Sequence, residues 1–313
     1  MILKLTKWNR VRFALCVAIS ASPMLSTAQA PVTATAPAKA AREALLQADR
    51  SLSAAALSKG FAEGVAEALA GDALFLYEGA PIVAGRAKVL ELLKSQPALS
   101  GLRAQWQPLV ALVSSDGSLG ATWGVAAISS AGKPDSALRF GKYVSTWRRG
   151  PGGAWQLAAH VDMGLVGGTP VLSPSLTEGS ASRPSPLTGA GAAFAQADID
   201  FAKLAAASGA PVAFGAFAAP DAATLPGSGE IIVGPPAIKA RMLESSLAAA
   251  TWDWRPVYSE GAASGDLGFT VGEATIKIPG PNGVTDYHSK YLTVWRRQPD
   301  GTVRFVVDGG NGR

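Results

Sequence analysis

The sequence is poor in the residues that carry most protein chemistry. Cysteine occurs once, at Cys16, histidine occurs twice, at His160 and His288, and charged residues make up 16% of the 313 positions. A single cysteine forms no internal disulfide, and two histidines far apart give no zinc or copper spacing, so no metal site is expected. The chain lacks G-x-S-x-G, H-E-x-x-H and a Walker phosphate loop, and no G-x-G-x-x-G opens a helix after a strand. Those absences exclude the common hydrolase, metalloprotease and nucleotide signatures, and no cofactor is expected. The apolar run Phe13-Ala14-Leu15-Cys16-Val17-Ala18-Ile19 falls far short of the roughly 20 residues that span a bilayer.

What the first thirty residues do contain is ordered. Lys4, Lys7, Arg10 and Arg12 precede that apolar run, and small residues follow it to Ala28-Gln29-Ala30. Basic, apolar, then A-x-A is the pattern of a secretory signal peptide, so residues 1–30 are read as a leader cleaved after Ala30. The expected location is periplasmic or secreted. The leader holds four basic residues and no acidic one, so the formal charge of +5 falls to +1 in the mature chain. A nearly neutral protein has no electrostatic case for nucleic acid or for a membrane surface after cleavage. Mature, it also has no cysteine, and a composition that is 48% hydrophobic must hold it together through its core.

The chain is written twice. KYVSTWRR at 142–149 returns as KYLTVWRR at 290–297. Gln47-Ala48-Asp49 returns as Gln196-Ala197-Asp198, Gly60 as Gly209, Asp72 as Asp221 and Gly85 as Gly234, all at an offset of 149. One residue is then lost: Trp106-x-Pro108 returns as Trp254-x-Pro256, and Leu119-Gly120-x-Thr122-x-Gly124 as Leu267-Gly268-x-Thr270-x-Gly272, at 148. Spacing kept over so long a stretch marks a duplicated domain. The boundaries read as a flexible lead-in at 31–39, a first domain at 40–164, a Gly/Pro/Ser-rich linker at 165–191 and a second domain at 192–311.

Each copy opens helical. Leu45, Ala48, Leu52 and Ala55 share one face, matched by Phe194, Ala197, Phe201 and Leu204. A short second helix is expected near 62–70, a brief strand at 73–78 and a third helix after Gly85. From Gln105 the texture becomes strand, near 105–114, 119–129, 138–149 and 154–163, with counterparts at 253–259, 266–278, 287–297 and 302–308. Turn clusters such as SSDG, GPGG and QPDG separate them. Helices first and an antiparallel meander afterwards is an α+β pattern, and short turns exclude a parallel Rossmann sheet.

These residues carry a resemblance. An Asp72-Ala73-Leu74-Phe75 strand start, a helix-opening Gly85, and a terminal hairpin of Gly141-Lys142-Tyr143, Trp147-Arg148-Arg149 and Trp155-Gln156-Leu157 recur in outline in copy two. Each copy resembles a SnoaL-like domain of the nuclear transport factor 2-like superfamily, in its bacterial branch of unknown function. The resemblance implies two cone-shaped domains, each with N-terminal helices packed on a bent antiparallel sheet that encloses an apolar pocket. It also implies an intramolecular pseudo-dimer, its sheets back to back or edge to edge. Fold alone does not fix activity. Copy two departs where Thr224-Leu225-Pro226-Gly227-Ser228 replaces Phe75-Leu76-Tyr77-Glu78-Gly79. Pro226 is expected to weaken a central strand, leaving the second pocket altered or degenerate.

Candidate site residues follow from strand alternation. Tyr143, Ser145 and Trp147 share one face; the tryptophans read first as packing, whereas Tyr143 and Tyr291 can also line a pocket. On the last strand of copy one His160 and Asp162 share a face about 6.5 Å apart, a spacing suited to a tuned acid–base pair or to a mere hydrogen-bonded strand end. The register replaces them with Asp308 and Gly310. The resemblance implies that a polar residue at the His160 position faces the pocket, and that Asp308 with Tyr291 forms a base and donor as in isomerases. Tyr77 and Glu78 stand at the expected mouth. Asp49 and Asp198 read as helix-to-strand hydrogen bonds in preference to a pocket floor. The leading functional expectation is binding of a small, largely apolar molecule. A cofactor-independent acid–base enzyme and a structural or protein-interaction module remain open beside it.

Overall fold

In the computed structural model of the chain, residues 36–96, 99, 102–130, 139–164, 177–178, 190–244 and 246–313 are described. The expected leader at 1–30, the expected cleavage after Ala30 and most of the expected linker lie outside these residues.

Helix α1 (Ala36–Lys59) leads the first repeat and α4 (Ala190–Ser208) the second. The buried stripe of α1 is Leu45, Leu46, Asp49, Leu52, Ser53 and Ala56, one turn of a 3.6-residue period after another, and it places a carboxylate in the middle of the apolar face. Phe194, Asp198, Phe201 and Ala205 repeat that stripe on α4. Short helices α2 (Phe61–Ala66) and α5 (Ala210–Phe217) follow, then strands β1 (Leu69–Leu76) and β8 (Ala218–Leu225). After two-residue strands β2 (Val83–Ala84) and β9 (Ile232–Val233), helices α3 (Arg86–Ser95) and α6 (Pro235–Glu244) lead into the long strands. These are β3 (Leu102–Val113), β4 (Leu119–Ser130), β5 (Arg139–Arg149) and β6 (Trp155–Met163) in the first repeat. The second repeat has β10 (Thr251–Gly261), β11 (Leu267–Gly280), β12 (Gly283–Arg297) and β13 (Val303–Gly312). Within the linker only β7 (Thr177–Glu178) is described, and it pairs with β3 as an added edge strand.

The two sheets have matching orders, β2-β1-β6-β5-β4-β3-β7 and β9-β8-β13-β12-β11-β10. The class is α+β with two domains, as the sequence indicates, but the sheets are mixed and not wholly antiparallel. The pair β1–β6 is parallel, and so is β8–β13. No hairpin joins those partners: a helix and four strands intervene, so turn geometry does not impose an antiparallel direction. The expected strand at 73–78 begins earlier, at Leu69. Pro226 proves harmless to β8, which ends one residue before it. Register shifts at Pro108/Val110 in β3 and at Pro256/Tyr258 in β10 bend both sheets at equivalent places.

One apolar cluster fills the first repeat between its helices and sheet, with Leu45, Phe61, Phe75 and Trp147 at its centre. A second fills the other repeat and continues through the backs of both sheets, taking in Trp123, Val144 and Val161 with Leu292, Val294 and Val307. Strand β6 packs on β13 and β12, and β4 on β11. At the margins the contacts are polar. Ser115 N–H donates to Asp266 at 2.9 Å and Ser264 N–H to Asp116 at 3.0 Å, a reciprocal pair at equivalent turns. Arg148 reaches Glu260 at 3.3 Å. The Asn311 amide nitrogen donates to the Leu76 and Asp162 carbonyls at 2.7 and 2.9 Å.

Candidate functional site

Beneath each cavity lies the same polar arrangement. Asp49 of α1 accepts from the Trp106 indole at 2.6 Å and from the Tyr143 hydroxyl at 2.9 Å. Asp198 of α4 accepts from Trp254 and Tyr291, each at 2.9 Å. Thr122 and Thr270 join the two carboxylates, and they accept in turn from the indoles of Trp147 and Trp295 at 2.9 and 2.8 Å. A carboxylate buried on a helix face is tolerated because its oxygens are saturated with donors. Burial still raises the pKa of both aspartates, the hydrogen bonds opposing it. Burial, then the carboxylate itself, drives Tyr143 and Tyr291 well above the ordinary phenol range, so both hydroxyls keep their protons. The helix-to-strand reading of Asp49 and Asp198 is what the structure shows, although Asp198 also reaches the cavity above it.

The second cavity has a volume of about 260 Å³. Its walls are apolar, with Phe201, Phe214, Ile238, Trp252, Trp254 and Ile276 prominent. Of the two expected outcomes, an altered or a degenerate pocket, the structure shows the altered one: Pro226 and Gly227 stand on the lining where the first repeat has Tyr77 and Glu78, and a cavity is present. Asp308 enters from β13, held by the Thr293 hydroxyl at 2.5 Å. Protein surrounds the carboxyl on most sides, and this burial, helped by the charge of Asp198 and opposed by Thr293, raises its pKa to about 7. The Trp252 indole N–H has no hydrogen-bond partner.

The first cavity is about 340 Å³ and its lining is mixed. His160, buried on β6, stacks between Phe75 and Tyr143 at centroid distances of 5.0 and 6.2 Å. Its Nδ1 lies 2.8 Å from the Ser145 hydroxyl. Its Nε2 lies 3.1 Å from an Asp162 carboxylate oxygen, but the directions are wrong for a hydrogen bond and Nε2 is left without a partner. Tyr77, Glu78 and Arg139 complete the rim. Burial raises the Tyr77 pKa, and the nearby Asp162 and Glu78 charges add to it.

The structure therefore brings His160, Asp162, Tyr77 and Tyr143 to one cavity and Tyr291 with Asp308 to the other. It does not join Tyr291 to Asp308 as a hydrogen-bonded pair: Tyr291 donates to Asp198 and Asp308 accepts from Thr293. Ser145 and Thr293, which position His160 and Asp308, were not singled out from the sequence, although they occupy equivalent places in the recurring octapeptide. The aromatic walls Phe61, Trp106, Trp252 and Trp254 were also missed as lining; the recurring Trp-x-Pro was the available signal. His288 lies outside both cavities with Thr275 at 3.2 Å.

No protein-family model matches the chain, and no curated protein sequence matches it. Solved structures do. An NTF2-like protein with a cystatin-like fold from Novosphingobium aromaticivorans is 16% identical, covers 39% of this chain and 80% of its own, and gives a TM-score of 0.34. A ketosteroid isomerase-like protein from Erwinia carotovora is 14% identical over 40% of this chain and 98% of its own, with a TM-score of 0.36. An NTF2-like protein of unknown function from Pseudomonas putida is 16% identical over 40% of this chain and 86% of its own, at 0.34. Each match covers about the length of one repeat.

Proposed function

We propose that the second cavity binds a small, largely apolar molecule that carries one hydrogen-bonding group, and that the chain is an exported binding protein. The observation that carries the reading is Asp308, an ionisable group set into apolar walls with its pKa raised to about 7. Apolar walls with a few placed polar groups suit ligand capture, and a volume of about 260 Å³ suits a small ligand. At neutral pH the carboxyl is shared between donor and acceptor forms, so it matches a hydroxyl. Export rests on the leader residues, and the back-to-back packing of the repeats supports reading the chain as a covalent pseudo-dimer.

A thermal-shift titration with 2-naphthol, an apolar body with one hydroxyl, tests the site. The melting temperature rises with 2-naphthol in the wild type, Asp308→Asn weakens the effect, and Met242→Trp, which fills the cavity, abolishes it. An unmoved melting temperature, or a shift that survives Met242→Trp, overturns the proposal. The pKa of Asp308 also favours a second reading, cofactor-independent proton abstraction from a bound carbon acid, with the ionised carboxyl as the base that takes the proton. Tyr291, committed to Asp198, is then no proton donor, and Asp308 acts alone.

A further inference from the structure

We propose that the first cavity is a site for a different class of ligand, a small organic ammonium ion carrying an apolar group. Three features of its lining converge. The interior is aromatic, with Phe61, Tyr77, Trp106 and Tyr143 around the space, and ring faces attract cations. Two carboxylates, Glu78 and Asp162, stand on the lining with a single guanidinium, Arg139. Lys290, on the lining of the second cavity and donating to the Gly312 carbonyl, is close enough for its charge to act on that of Glu78, and Asp49 lies below, enclosed by its own donors. The third feature is an unmet acceptor. The Asp162 carboxylate is that acceptor: it stands half-exposed on the lining and makes no hydrogen bond with His160 Nε2, 3.1 Å away. A carboxylate open to the cavity calls for a cationic donor, and an ammonium nitrogen has three N–H groups.

Other occupants fit less well. A carboxylate meets two like charges against one guanidinium. A neutral apolar molecule strips water from the Asp162 carboxylate and returns no hydrogen bond to it. The second cavity lacks this set: Gly227 and Gly310 stand where Glu78 and Asp162 stand in the first, and its acid accepts a proton near pH 7. The duplication has thus produced two sites of opposite preference on one scaffold.

The test is isothermal titration of the mature chain with benzylammonium, benzyl alcohol and benzoate, three ligands of similar shape and different charge. Benzylammonium binds at least about tenfold more tightly than the other two, as a desolvated ion beside ring faces and carboxylates requires. The chain has only two histidines, so imidazole resonances report the place. His160 shifts on titration and His288 does not. Glu78→Gln with Asp162→Asn removes the preference for the ammonium while leaving 2-naphthol binding to the second cavity unchanged. If benzyl alcohol or benzoate shifts the His160 resonances at as low a concentration as the amine does, or if His160 stays unmoved, the assignment is wrong; heat from benzyl alcohol without a His160 shift belongs to the second cavity. The wild-type series decides the matter even where the double variant does not fold. The 2-naphthol response separates failure of this site from failure of the other.

Discussion

In the first repeat Asp49 ties helix to sheet through Trp106, Tyr143 and Thr122, and in the second Asp198 does so through Trp254, Tyr291 and Thr270, with distances that agree to 0.3 Å. A few ångströms along the sheet the agreement ends. His160 on Ser145 in one repeat becomes Asp308 on Thr293 in the other, and Tyr77-Glu78 becomes Pro226-Gly227. The difference separates two kinds of polar residue in a core. Residues whose hydrogen bonds close within the protein are required by the fold, because loss of any partner strands the others in a dry environment. Residues whose hydrogen-bonding capacity opens to a cavity are free to change chemistry, because what completes them is a ligand.

The comparison breaks first, and with the largest effect, at the shared aspartates. Asp49→Ala and Asp198→Ala each remove the acceptor of an indole, a phenol and a hydroxyl, and each is expected to cost about 3–5 kcal/mol in urea unfolding. The two costs agree within about 1 kcal/mol if the two clamps are equivalent. A loss below about 1 kcal/mol in either repeat shows that repeat to be held otherwise.

A sharper distinction comes from the recurring glycines. A Cβ at Gly124 meets Gln107 O at 2.1 Å, whereas at Gly272 it meets both Arg255 O at 2.4 Å and the Tyr291 ring and hydroxyl at 2.2 Å. Gly124→Ala and Gly272→Ala are each expected to cost about 1–3 kcal/mol by overpacking. Only Gly272→Ala also displaces Tyr291 from Asp198, so only it reduces 2-naphthol binding. Equal binding loss in both variants refutes the specific role of Tyr291 in shaping the second cavity.

Much of this architecture was legible before any coordinates. The repeat register indicated two domains, and the phrase Leu-Gly-x-Thr-x-Gly is now explained letter by letter: Gly120 and Gly268 leave room for Leu45 and Phe194, the threonines receive Trp147 and Trp295, and Gly124 and Gly272 lie against the sheet bends. Strand alternation put His160 with Asp162 and put Tyr143 with Ser145. Three things were not legible. The direction of β1 against β6 depends on a helix and four strands between them, not on a turn. The harmlessness of Pro226 depends on a strand boundary one residue away. The partner of Tyr291 is Asp198, 93 positions earlier on a helix, and not Asp308 on the adjacent strand; only packing decides between them.

The smallest expected effect, and one of opposite sign, concerns Asp308. Its pKa is raised from 3.8 to about 7 in the folded protein. Below pH 4 folded and unfolded chains both hold the proton, and the group contributes no pH dependence. Between pH 4 and 7 the unfolded chain releases a proton that the folded one keeps, so stability falls as pH rises, and above 7 the penalty is complete. Asp308→Asn removes that penalty and preserves an acceptor for Thr293. The variant matches the wild type at pH 4 and exceeds it by about 1–2 kcal/mol at pH 8, less than full linkage because the cavity admits water. Asp49 and Asp198 add slopes of the same sign through their burial, but in both repeats alike. The gain on replacing Asp308 is therefore a property of the second cavity alone. Urea unfolding of both proteins across that pH range measures it, and two parallel curves would show that Asp308 ionises in the folded protein as freely as in water, leaving the second cavity without its distinguishing group.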